Sequence, residues 1–242
     1  IEVVRVAIDL LRLDLPMAAL AAARVVDAVD APRDAAQGKE QEVRYGNSAI
    51  KLWCDWDVGI GGELWSCGLL LCEDVESHSA DYAGARRVLE LGAGTGLAGL
   101  FLARACPQAT VSLTDLEDHL ALLQRNVDLN QLGGRVVAET LDWADASEAQ
   151  LQGFDIIIAT DCAYHARLHA PLVDVLRRCL TASNAAILGV TKSNTAPAFF
   201  KMLDAAGLDY TLLRPPKDDY FALLRITKRP GFFGSGNTWP AR

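Results

Sequence analysis

Apolar residues recur along this chain at two different periods, and the change between them divides it. Val4, Ile8, Leu11 and Leu15 fall at helical spacing, Pro16 interrupts the run, and Met17–Val29 resumes it. Two short helices are expected, either as a cap packed on the main domain or as a segment that binds a partner. Residues 30–42 are polar and hold Pro32 and Gly38, the composition of an exposed linker. From Val43 the pattern is that of strands: residues 42–57 read as two short strands about the turn pair Gly46-Asn47. Gly59–Gly62 is expected to be a flexible loop, and residues 64–75 a helix.

A regular alternation comes next. Arg87–Leu91 is a short apolar strand, followed by a glycine-rich loop and a helix to about Ala105. Thr110–Thr114 is a strand, Glu117–Leu132 a helix and Arg135–Leu141 a third strand. Phe154–Thr160 is continuously apolar, which suits a central strand buried on both faces. Ala166–Leu180 is helical, Ala185–Val190 a strand, and Ala196–Ala206 a helix that ends at Gly207, a C-cap signal. Leu208–Leu213 and Tyr220–Thr227 read as an antiparallel hairpin. Strands alternating with helices imply an α/β fold, a doubly wound and mostly parallel sheet, here of seven strands with a closing antiparallel hairpin. Ligands of such sheets bind beyond the C-terminal strand ends.

Composition narrows the chemistry. Of 242 residues, 51% are hydrophobic and 22% charged, enough for one globular core. The formal net charge is −8 with no run of Lys or Arg, so a nucleic-acid footprint is not expected. An acidic balance suits a small molecule or a basic protein segment. Six cysteines form no C-x-x-C pair and the four histidines no metal spacing, so reduced thiols are expected and no metal site. No apolar run reaches membrane-spanning length, so no membrane partner is expected. The first residue is Ile1 rather than Met, which leaves an upstream segment open.

Candidate chemistry lies where the strands end. Gly92, Gly94 and Gly96 form G-x-G-x-G between a strand and a helix, where glycine lets a ligand approach the backbone. A dinucleotide fingerprint would place its third glycine one position later. Glu90 precedes the loop, and an acid there suits a ligand with a cationic end and no phosphates, such as S-adenosylmethionine. Asp115 ends the next strand; a carboxylate there can accept both hydroxyl protons of a ribose, or it caps the following helix. Asp142-Trp143 follows the third strand and suits an adenine, unless Trp143 is a core residue. Asp161 and Tyr164 follow the apolar fourth strand, where they would face a methyl donor, unless Asp161 is a buried structural carboxylate. Cys162 is not promoted to a nucleophile, because Asp161 stands where cytosine methyltransferases carry proline. The Pro-Pro-aromatic element of amino-purine methyltransferases is also missing.

With these elements the sequence resembles the METTL-type protein lysine methyltransferases, a branch of the seven-stranded class I methyltransferases that use S-adenosylmethionine. The resemblance runs from about Val43 to Arg229 and rests on GIGGELWSCGLLL, VLELGAGTGLAGL, LTDLED, LLQRNVDLN, LDW and DCAY. It implies that Asp161 and Tyr164 of an Asp-x-x-Tyr element serve catalysis. Glu90, Gly92, Gly94, Gly96, Asp115, Asp142 and Trp143 would hold the cofactor, with Trp65 near its methionine end. Cys162 and Ala163 replace larger aliphatics. The implied acceptor is a lysine of a protein substrate. A small amine or pyridine acceptor, and a non-catalytic cofactor-binding scaffold, stay open as alternatives. The expected organisation is a helical extension and linker over 1–42, a methyltransferase domain over 43–230 and a tail over 231–242. A cytoplasmic or nuclear monomer is expected.

Overall fold

The computed structural model describes residues 24–27, 38–191, 195, 197–215 and 220–231. The helix expected over Val4–Leu15, most of the linker and the tail beyond Gly231 lie outside them.

Two sheets organise the described chain. The smaller holds β1 (Arg24–Asp27), β2 (Lys39–Tyr45) and β3 (Ser48–Cys54), each antiparallel to the next. The expected hairpin about Gly46-Asn47 is present, but β2 begins at Lys39, inside the segment read as linker. Residues 24–27 also correct the expected second helix: Val25 and Val26 are β-branched and pair with Val43 and Glu42 of β2. A pairing partner far along the chain overrides the local helical spacing.

The larger sheet holds seven strands: β4 (Arg87–Leu91), β5 (Thr110–Asp115), β6 (Val136–Thr140), β7 (Ile156–Thr160), β8 (Ala185–Thr191), β9 (Leu208–Leu212) and β10 (Phe221–Lys228). Their order is β6-β5-β4-β7-β8-β10-β9. The pairs from β6 to β8 are parallel, and β10 is antiparallel to both β8 and β9. The doubly wound sheet with its closing hairpin is therefore the one expected from the alternation. β7 and β8 are buried through their middles, as their unbroken apolar runs require.

Helices cover both faces. On one lie α1 (Ser66–Ser77), α3 (Leu97–Ala105) and α4 (Leu120–Leu129), with the small sheet packed over them. Ile50, Leu52, Leu71, Phe101 and Leu123 fill this layer. On the other lie α6 (Ala166–Cys179) and α7 (Pro197–Ala205), closing a second layer that includes Leu172, Leu176, Leu188 and Phe199. Short helices α2 (Ser79–Tyr82) and α5 (Glu148–Leu151) complete the count among the described residues.

Two asparagines join the layers. Asn126 Oδ1 accepts from Trp53 N at 2.7 Å, and its Nδ2 donates to Trp53 O at 3.1 Å and Thr95 O at 2.9 Å. One helical turn on, Asn130 treats Lys51 likewise, accepting from its N at 3.0 Å and donating to its O at 2.6 Å. The two side chains stand in for a neighbouring strand along β3 and tie the glycine loop to it.

The chain winds outward from β4 through β5 to β6, then returns to β7 and β8 on the other side. The order reverses between β4 and β7, and a crevice opens beyond their C-terminal ends.

Candidate active site

The glycine loop begins where β4 ends. Gly92 and Gly94 have φ of +61° and +57°, values that strain any residue with a Cβ. A Cβ on Gly92 would lie 2.9 Å from Cys162 Sγ and 3.1 Å from Trp143 Cζ2, and one on Gly94 would lie 2.8 Å from Gly61 O. Both glycines line a cavity of about 500 Å³ in the crevice. Gly96 does not. A Cβ on it would press on Leu113 and Leu123, so it serves core packing and the start of α3 rather than the cavity wall.

Every other residue singled out in the sequence lines the cavity: Trp65, Glu90, Asp115, Asp142, Trp143, Asp161 and Tyr164. Glu90 is the most enclosed of the acids. Its Oε2 accepts from Gly99 N, in the first turn of α3, at 2.8 Å. Burial still pushes its carboxyl up to about 8, against that bond and with help from the charge of Asp115.

Asp115 holds the loop from the side. One oxygen accepts from Gly94 N at 2.8 Å and the other from Leu116 N at 2.8 Å, so lone pairs remain on both for a ligand. The expected helix start at Glu117 is instead a 3-10 turn, Glu117–His119, leading into α4. That turn carries His119 back over the carboxylate: His119 Nδ1 lies 3.0 Å from Asp118 Oδ1 and 3.7 Å from Asp115 Oδ1. A Cβ on Gly61 would meet the same ring's Nε2 at 2.5 Å.

Gly61 belongs to the segment read as a flexible loop. It forms two 3-10 turns, Trp56–Val58 and Ile60–Gly62, closed by Asp55 N donating to Gly62 O at 2.8 Å. Trp65 Nε1 donates to Ile60 O at 2.8 Å. The turns thus form a strap over Gly94, pinned by Trp65 at one side and His119 at the other.

Asp161 stands at the base of the cavity with φ +55°, a left-handed conformation unusual outside glycine. Its Oδ2 accepts from Cys67 N at 2.8 Å and its Oδ1 from Thr191 Oγ1 at 3.2 Å. Cys67 is in the first turn of α1, whose own N-cap, Trp65, has no capping side chain. Asp161 therefore caps α1 from a distance, and the helix dipole favours its charge. Burial raises its pKa, opposed by the Cys67 and Thr191 donors. Tyr164 is at the rim, its phenol also raised by burial first. Between them Cys162 is buried and donates to Leu91 O at 3.2 Å, which holds the β7 end against the β4 end.

Trp143 is half-buried: it lines the cavity on one side and packs on the second core layer with the rest of its ring. Asp142 is exposed and accepts from Ala144 N at 2.9 Å. Sequence reasoning missed His119, Glu63 and Arg167 in the wall. A histidine four residues after a strand-end acid was a visible signal for the first. Nothing local marks the others. Five acids, Glu63, Glu90, Asp115, Asp142 and Asp161, thus surround the cavity against Arg167, with Glu90 keeping its proton at neutral pH.

A family model described as lysine methyltransferase matches residues 45–206. The chain belongs to that family. It is 32% identical over 152 residues to the protein N-lysine methyltransferase METTL21A of Danio rerio, covering 61% of this chain and 68% of that one. It is 32% identical over 131 residues to the protein-lysine N-methyltransferase EFM6 of Saccharomyces cerevisiae (45% and 53%). Against the calmodulin-lysine N-methyltransferase of Arabidopsis thaliana it is 32% identical over 156 residues (61% and 51%). The chain thus spans about two thirds of the first of these relatives and about half of the other two. Among solved structures, an O-methyltransferase-like protein from Nostoc punctiforme superposes with TM-score 0.56 at 14% identity, covering 71% of this chain and 59% of that one. The O-methyltransferase NcsB1 of neocarzinostatin biosynthesis, solved with S-adenosylhomocysteine, gives 0.52 at 16% identity (67% and 57%). These likenesses establish the class I methyltransferase fold.

Proposed function

We propose that this chain is an S-adenosylmethionine-dependent protein-lysine N-methyltransferase, with the catalytic unit in residues 43–230. The observation that carries the reading is the acidic cavity beside the glycine loop, in a chain of the lysine methyltransferase family. Four carboxylates, Glu63, Asp115, Asp142 and Asp161, against one arginine suit a ligand and an acceptor that are both cationic, and they repel a pyrophosphate; Glu90, its carboxyl pushed up to about 8 by burial, adds a charge only where a cation beside it draws the proton off. The backbone at Gly92 and Gly94 leaves room that a Cβ would fill. The residues present therefore fit S-adenosylmethionine, with Asp115 for the ribose, Trp143 and Asp142 for the adenine, and Glu90 and Trp65 for the methionine end.

When bound, that cofactor supplies a methyl group on a positively charged sulfur, which leaves as a neutral thioether. The chain's own work is alignment and exclusion of water. The lysine must lose its proton before it reacts, from a reference pKa near 10.4. Asp161 holds a negative charge at the base of the cavity, which attracts and orients the ammonium. A carboxylate favours the charged amine, so Asp161 is an electrostatic positioner rather than a strong base. Tyr164 shapes the entrance. The proton passes to water after Asp161 has drawn the ammonium in and before the methyl group is transferred.

All six cysteines are free and buried, which supports a reducing compartment such as the cytoplasm or nucleus. No described helix is long and apolar enough to cross a membrane. The reading includes a protein acceptor and a monomeric enzyme. The test is incubation with methyl-labelled cofactor and a cell lysate, then hydrolysis of labelled bands. Label recovered as methyl-lysine supports the reading. Label confined to small molecules overturns the acceptor, and calorimetry showing NAD binding without S-adenosylhomocysteine binding overturns the cofactor.

A further inference from the structure

Large apolar side chains stand open at the mouth of the cavity. Ile60, Leu116 and Tyr164 line its wall and are still 39%, 48% and 40% exposed. They come from three separate segments: the strap, the turn after β5 and the loop after β7. Packing of His119 against Gly61 brings the first two together. The third borders the same opening, because Asp161, Cys162 and Tyr164 line the cavity together with Gly61, Leu116 and His119. Trp56, 45% exposed, belongs to the strap as well. Although they line the cavity, Ile60, Leu116 and Tyr164 each leave apolar surface open to solvent beside it.

The charges around these residues are predominantly negative. Asp57 on the strap, Glu117 and Asp118 beside Leu116, and Asp142 beside Trp143 are all exposed. Arg167 is the single Lys or Arg among the described residues of the cavity wall. An apolar patch rimmed by charge marks an interaction site.

We propose that this rim docks a basic protein segment, in which the target lysine is flanked by further Lys or Arg and by at least one large apolar side chain. The proposal rests on the lysine methyltransferase reading and names the acceptor's chemistry. Exposed acids attract cations out to a Debye length of about 8 Å at physiological salt, enough to reach residues on either side of the lysine. Trp56, Ile60, Leu116 and Tyr164 offer the apolar contact that fixes register. A second copy of this chain is a poor occupant, because it would bring the same acidic rim, on a chain of net charge −8, against itself.

The test uses the whole chain saturated with S-adenosylhomocysteine and three fluorescent peptides, read by anisotropy. One carries lysine between arginine and leucine. The second replaces arginine with glutamate, and the third replaces leucine with serine. The first peptide should bind about tenfold tighter than the second, with the difference shrinking as NaCl rises from about 50 to about 300 mM. It should also bind several-fold tighter than the third. The Asp57→Asn/Asp118→Asn variant should reduce the first advantage and Trp56→Ser the second, with calorimetry confirming that each variant still binds S-adenosylhomocysteine.

Equal binding of the first two peptides, equal binding of the first and third, or no binding of any overturns the proposal, and these wild-type comparisons need no variant to fold. A wild-type dimer that Trp56→Ser dissociates would assign the rim to a second copy and overturn it too. Label transfer is scored separately. Selective binding without methylation of lysine would leave the docking surface and remove the enzymatic reading. Methylation indifferent to flanking residues would do the reverse.

Discussion

Glu90 and Asp161 are both buried acids beside the same cavity, and their surroundings give them different duties. Glu90 accepts one backbone bond, and burial leaves its carboxyl at about 8, above its ordinary 4.5. Between those values the folded protein keeps a proton that the unfolded chain releases, so stability falls as pH rises through that window. Glu90→Gln removes the titration. Urea unfolding from pH 5 to 9 should show the variant gaining on the parent as pH rises; parallel curves would mean that Glu90 ionises normally in the fold. Asp161 has two donors and the α1 terminus to hold its charge. Asp161→Asn keeps an acceptor for Cys67 N and loses the charge. Turnover should fall by about a hundredfold or more, the scale of a well-placed electrostatic contact, with the melting temperature and S-adenosylhomocysteine affinity little changed. Asp161→Ala loses the cap as well and should cost about 1–2 kcal/mol of stability. An Asn variant with full turnover would remove Asp161 from the chemistry and leave it as a helix cap.

At the scale of elements, local pattern controls what was legible in the sequence. β4, β5, β7 and β8 announce themselves as short apolar runs, and the glycine loop by its spacing after β4. Asp115 and Trp143 were found because they adjoin strand ends, whereas Trp65 came only from the family resemblance. The features that were not legible depend on distant pairing. Val25 and Val26 look helical until β2 offers a partner. The Gly59–Gly62 stretch looks flexible until Trp65 and His119 pin it. The capping of α1 joins residues 94 apart in the chain, and no window of sequence contains both. Asn126 is the same kind of case, since the backbone it satisfies is 73 residues away. Its three bonds reach a fully buried side chain, so Asn126→Ala strands buried polar groups of β3 and the glycine loop. The variant should lose about 2–4 kcal/mol in urea unfolding and bind S-adenosylhomocysteine more weakly. A loss below about 1 kcal/mol would mean that water replaces the side chain along β3.

Across the whole molecule the cavity walls come from one end of the sheet, and that determines where a ligand is felt. The strap, the glycine loop, the Asp115–His119 turn, the Leu141–Ala144 loop and the Asp161–Leu168 segment all meet at the β4–β7 reversal. They touch one another through Gly61 against Gly94, His119 beside Asp115 and Cys162 against Leu91. The β9–β10 hairpin closes the opposite edge, and none of its described residues lines the cavity. A ligand that bridges these loops restrains all of them together, because opening any one must first break its contacts. Hydrogen exchange with saturating S-adenosylhomocysteine should therefore slow coherently in residues 55–65, 92–96, 115–119, 141–144 and 161–168. Amides of β9 and β10 should exchange at unchanged rates wherever exchange proceeds by local opening. At a ligand concentration of 100 Kd the global unfolding free energy should rise by about 2.7 kcal/mol, which sets a ceiling on the change expected in the slowest core amides. Protection confined to the glycine loop would show that the strap does not close on the ligand, and protection centred on β9–β10 would place the binding site at the wrong end of the sheet.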